Sequence, residues 1–153
     1  MTPDPALWPA LAVAGVGALL DIKDRRLPNW LCAALAVAGA GGLAFSAGLE
    51  ILAWAFVHAV LVLAIGMVLF RLGVIGGGDA KFYSAAACAV PLSQALPLLG
   101  WTSVVGLGLI VVMLVMRAAK GGGKGVVVLR GWSVPYGVAI FGGFALAISS
   151  PLG

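Results

Sequence analysis

The sequence predicts an all-α, polytopic membrane protein of six transmembrane helices, with residues 1–153 forming one membrane unit and no large soluble domain. Three observations predict it. Hydrophobic side chains make up 63% of the chain, charged ones only 9%, and the mean hydropathy is +1.17, far outside the range of soluble domains. Six apolar runs alternate with short polar connectors, and a helix needs about 20 apolar residues to cross the hydrocarbon. All nine Lys and Arg residues fall in or at the edges of alternate connectors.

Along the chain, Met1 to Pro5 carries Asp4 and no cation. Without the positive n-region of a secretory signal, the first apolar run, Ala6 to Ile22, is expected to stay as a helix. Next comes Lys23-Asp24-Arg25-Arg26-Leu27-Pro28-Asn29, where Pro28 breaks the helix because it lacks an N–H and clashes with the preceding turn. Pro28 or Asn29 then opens the second run, Trp30 to Gly48. Gly48-Leu49-Glu50 leads into Ile51 to Phe70, and Arg71 to Lys81 into Phe82 to Leu99. A turn at Pro97 to Gly100 is expected before Trp101 to Met116. Arg117 to Gly131 is the last connector, and Trp132 to Ile148 the last run. Glycine, 23 residues of it, is spread through the runs, where small side chains let helices approach in lipid.

Charge sets the orientation. Cations occupy the first, third and fifth connectors and are absent from the second and fourth, so the positive-inside rule places the former in the cytoplasm and both termini outside. That implies a bacterial inner membrane protein with periplasmic termini. The net charge of +4 does not indicate nucleic acid, because the cations sit in short connectors without an aromatic-rich polar surface. Lys23, Arg25, Arg26 and Lys81 are read as anchors among anionic head groups. Trp8, Trp30, Trp101 and Trp132 suit the interfacial aromatic belt.

Two acids stand out. Asp21 follows a run from Leu7 to Leu20 without a charge, which puts its carboxylate at or just inside the membrane boundary. Ionisable groups there are costly and tend to face the bundle interior or a water-filled cavity. A helix-end Asp paired with Lys23 or Arg25 is the plainer alternative. Asp79 belongs to the run Val74-Ile75-Gly76-Gly77-Gly78-Asp79-Ala80-Lys81, where glycine permits unusual turns and close approach of another peptide. Capping of the following helix would also account for an acid here.

Both acids lie at cytoplasmic connectors and at the same depth. Two adjacent carboxylates cannot both ionise cheaply and share a proton; the ionised one activates water while the protonated one polarises a carbonyl. That is aspartic-protease chemistry with no metal or cofactor. Asp24 is the rival to Asp21, but Lys23, Arg25 and Arg26 keep it ionised and solvated, whereas Asp21 adjoins Leu20 and Ile22.

The stretch from Asp21 through Pro28-Asn29 resembles the signature of type IV prepilin peptidases, and Gly76-Gly77-Gly78-Asp79 resembles their GxGD motif. Val134-Pro135-Tyr136-Gly137-Val138-Ala139 is similar to the Pro-aromatic-Gly segment that opens their last span. The three stretches cover nearly the whole chain, and the likeness is strongest to the short tight-adherence type, which lacks the cysteine-paired cytoplasmic domain that accompanies N-methylation. The resemblance implies Asp21 and Asp79 as the catalytic pair. It marks Pro28, Asn29, Gly76, Gly78, Lys81, Pro135, Tyr136 and Gly137 as motif or substrate-binding positions. The substrate it implies is a prepilin whose short basic leader precedes an apolar helix, cut at the cytoplasmic boundary without methylation. An archaeal preflagellin enzyme of the GxGD group would look similar.

Other features carry less. Cys32 and Cys88 lie in apolar stretches without metal-site or disulfide spacing and are read as packed thiols. His58 is expected to be hydrogen-bonded inside the bundle. Lys120-Gly121-Gly122-Gly123-Lys124-Gly125 lacks the Ser or Thr after Gly-Lys, and the preceding strand, that a phosphate loop needs; a loop is expected. A non-enzymatic assembly subunit or transporter component remains the alternative, but a transporter should show repeated halves, and no convincing internal repeat relates the first three runs to the last three.

Overall fold

The computed structural model describes residues 4–119 and 135–149, and among them every regular element is helical. Trp132, Val134 and the stretch Lys120 to Gly125, each assigned a role from the sequence, lie outside the described residues. Six α-helices form: α1 (Trp8–Asp24), α2 (Asn29–Ala47), α3 (Leu49–Arg71), α4 (Gly77–Ala87), α5 (Ala95–Ala119) and α6 (Tyr136–Ser149). Short 3-10 turns at Pro5–Leu7 and Leu92–Gln94 precede α1 and α5. Pro5–Asp24, Asn29–Ala47, Leu49–Arg71 and Leu92–Met116 are each long and apolar enough to cross a membrane, while Tyr136–Ser149 is a shorter apolar helix. The chain is therefore a multi-pass helical membrane protein.

The first connector folds as its residues dictate. Helix α1 stops at Asp24 because Arg25 takes the left-handed conformation (φ 52°) and donates its N–H back to the Asp21 carbonyl at 3.1 Å. Pro28 then sits extended as the N-cap of α2, which starts at Asn29.

The fourth helix differs from expectation. Pro97 to Gly100 is not a turn but part of α5, whose first turn absorbs Pro97; an N–H missing there costs nothing, since the first helical N–H groups have no partner in the helix. The break falls earlier, at extended Pro91. That leaves α4 with 11 residues, about 16 Å at 1.5 Å per residue, roughly half the hydrocarbon thickness. Its end is buried at membrane depth: the Val90 carbonyl accepts a hydrogen bond from His58 Nδ1 at 2.8 Å, and His58 lies nine residues into α3, about 13 Å from its first residue.

Irregular backbone survives at that depth only where protein surrounds it and satisfies its polar groups. Ala89 and Val90 are buried, and the N–H groups of Cys88, Ala89 and Val90 each bond a carbonyl three residues back. His58 takes Val90, and Ser84 Oγ donates to the Ala59 carbonyl at 2.9 Å. The Nδ1 of His58 is thus the protonated nitrogen, as the carbonyl can only accept. His58→Leu should orphan the Val90 carbonyl and cost about 1 kcal/mol, read as a lower midpoint of reversible unfolding in mixed micelles.

Helix α4 is the centre of the bundle. Phe82, Ala85, Ala86 and Ala87 are buried, and α4 packs on α2 and α3. Phe82 fills the space that a Cβ on Gly17 of α1 would need. Gly66 of α3 lets Ala80 come close. Helix α6 packs on α1 and α5. This packing brings the last turn of α1 and the first turns of α4 and α6 together.

Candidate active site

A cavity of about 550 Å³ opens where those ends meet, within the range that holds a small ligand or a few residues of peptide. Asp21 and Asp79 both line it, one from the last turn of α1 and the other from the first turn of α4. The connector from Arg25 to Asn29 forms one wall, and Gly76 and Gly78 another.

Asp21 is buried, 7% exposed. Its Oδ2 accepts a hydrogen bond from the Gly137 N–H at 2.7 Å, a charge-assisted bond to a helix N-terminus. Gly137 is the second residue of α6, and a Cβ there would lie 2.9 Å from both Cβ and Oδ2 of Asp21, so only glycine admits this approach. Pro135 stands just before α6, and its carbonyl accepts from the Val138 N–H at 3.1 Å; Tyr136 is largely exposed.

Asp79 serves the start of α4 from within its first turn rather than as the N-cap residue. Gly76 holds that place and Asp79 is the third residue of the helix, its carboxyl folded back over Gly76. A Cβ on Gly76 would lie 2.6 Å from Asp79 Oδ2. Gly76 is not there for a left-handed turn, since its φ is −73°; a Cβ would instead displace the Asp79 carboxyl. Burial, first, and the charge of Asp21, second, push the Asp79 carboxyl up to about 6, against an opposing pull from the Gly76 amide.

Stability follows from that shift. A carboxyl that titrates near 6 when folded and near 3.8 otherwise holds its proton in the folded state over an interval where the unfolded chain has lost it. Stability should therefore fall as pH rises from about 4 to about 6 and level off above. The unfolding midpoint across that interval checks this, and Asp79→Asn should flatten the slope.

Of the other motif residues, Pro28, Asn29, Gly76 and Gly78 line the cavity, and Lys81 Nζ donates to Asn29 Oδ1 at 3.1 Å, tying α4 to the start of α2 from outside it. Arg25, Arg26 and Leu27 also line the cavity, where the sequence suggested that the two arginines anchor in head groups. Both arginines stay exposed while lining it; their closeness to Asp21 in sequence was the only signal, and the left-handed Arg25 at the end of α1 is not visible in the sequence.

A buried and a half-buried carboxylate from separate helices around one cavity in an apolar helical bundle define a membrane protein with a paired-acid site. A family model described as the type IV leader peptidase family matches residues 8–123, a span that holds both acids, and the chain belongs to that family. Membership carries a peptidase activity of the aspartic kind. No curated protein and no solved structure matches the chain.

Proposed function

We propose that this chain is a prepilin leader peptidase of the short tight-adherence type, cutting the basic leader from an apolar helix at the cytoplasmic boundary of the inner membrane. The observation that carries the reading is the sharing of one cavity by Asp21 and Asp79. Water attacks the scissile carbonyl under one carboxylate while the other acid protonates the carbonyl oxygen. A substrate helix lying in the bilayer presents its leader junction at the depth of the two acids. The positive connectors support cytoplasmic exposure of this edge and periplasmic termini.

The test is co-expression of candidate prepilins with the wild-type chain, Asp21→Asn or Asp79→Asn. Leader removal, seen as a mobility shift, should require both acids. Cleavage at the full rate in both variants would end the protease reading, and selective cleavage of preflagellins would move the enzyme to that neighbouring class.

A further inference from the structure

The two acids are not equivalent, and the difference comes from α6. Burial opposes a charge on Asp21 as it does on Asp79, and two groups from outside its own helix turn favour that charge: the Gly137 N–H at 2.7 Å and the Arg25 guanidinium, whose field reaches it; Asp79 lines the same cavity. An amide N–H only donates, so it favours a charged oxygen opposite it, and the N-terminus of α6 adds its positive dipole end. Oδ2 is engaged in this way, and Oδ1 has no hydrogen-bond donor among the described residues. Asp79 has the first turn of α4 and the Gly76 amide in its favour, but burial and the charge of Asp21 outweigh them. Arg26 is the other charged group on the cavity wall. Lys81 is turned to Asn29, and the nearest titratable group of α6, Tyr136, is largely exposed.

We propose that Gly137 is a positioning residue which holds Asp21 as the ionised base, so that the proton shared by the pair resides on Asp79. This rests on the peptidase reading and assigns the two roles within it. Asp21 Oδ1 takes a proton from water as the water oxygen bonds to the scissile carbon, and Asp79 gives its proton to the carbonyl oxygen. The tetrahedral diol then collapses: the C–N bond breaks, the leaving nitrogen takes the proton from Asp21, and a diol hydroxyl returns one to Asp79. The products are an acid and an amine, and the pair regains its starting state. Proton placement by a helix end explains why the last-span motif, distant in sequence, needs glycine at this position: a side chain would push Asp21 off the N–H.

Infrared titration of the purified protein in nanodiscs tests this independently of cleavage. The double variant Asp21→Asn/Asp79→Asn, subtracted from each single one, isolates the carboxyl band of the remaining acid. Asp79 alone, in Asp21→Asn, should keep its protonated band to a higher pH than Asp21 alone, in Asp79→Asn. Adding Gly137→Ala should raise the Asp21 midpoint by about one pH unit, the size expected for one lost charge-assisted bond, and leave Asp79 in place. Circular dichroism verifies that each variant is helical. If Gly137→Ala does not fold, the order of the two midpoints still decides. A reversed or coincident order overturns the assignment, as does an Asp21 midpoint indifferent to Gly137→Ala. Loss of cleavage in both single variants together with a reversed order would leave the peptidase standing and remove only the division of labour between its two acids.

Discussion

Asp21→Asn or Asp79→Asn should each lower kcat/KM for leader removal by about 10³-fold or more, while Asp24→Asn stays within about threefold. Positioned proton transfer contributes about 10² to 10⁴ in rate, and here one acid depends on the other. Without a charge at position 21, no base activates water; without a proton at position 79, the carbonyl is not polarised. The losses should not add, because groups that act as a unit fail together, so the double variant should be no slower than either single one. Asn keeps the shape of Asp, which leaves the bundle intact. Asp24 is exposed and does not line the cavity, so its amide should be tolerated. Steady-state cleavage of a purified prepilin in detergent provides the measurement. Inactivation by Asp24→Asn with activity retained in Asp21→Asn would transfer the catalytic role to the wrong acid for this geometry.

Gly143→Leu should destabilise the protein by about 3 kcal/mol, the upper part of the range for overpacking, and should also impair cleavage. Helix α5 is held chiefly by α6. At their crossing a Cβ on Gly143 would lie 2.5 Å from both the N and the Cα of Thr102. Backbone cannot rotate away as a side chain can, so the two helices must separate. In lipid no hydrophobic driving force opposes that separation, because association depends on close packing itself. The same displacement would shift the start of α6 and thereby the Gly137 contact to Asp21. Gly108→Leu provides the control: nothing lies within 4 Å of a Cβ there, and the change should stay within about 0.5 kcal/mol. Unfolding midpoints of both variants in mixed micelles separate the cases, and equal midpoints would show that the α5 and α6 contact is not tight.

Much of this architecture was legible in the residues. The apolar runs fixed the all-helical membrane class, and α1, α2 and α3 begin and end within a few residues of the runs that suggested them. Pro28 marked the first break correctly because proline acts on its own backbone. Pro97 misled for the same reason: a proline is equally at home in a first helical turn, and only the position of the preceding break, at Pro91, shows which applies. The short α4 was concealed within the single run read from Phe82 to Leu99, since hydropathy records that a residue avoids water and not whether lipid or protein surrounds it.

Sequence by itself determined the solvent of the chain, its helical class and the identity of two costly acids near polar connectors, because each of these is a local property of composition and spacing. Only the tertiary structure decided that Asp21 and Asp79 share a cavity, that Arg25 and Arg26 help to wall it, and that an amide 116 positions away in sequence holds Asp21. Those facts depend on how helices pack, and packing is settled by the joint fit of Gly17 to Phe82, Gly66 to Ala80 and Gly137 to Asp21, pairings that no single stretch of the chain encodes.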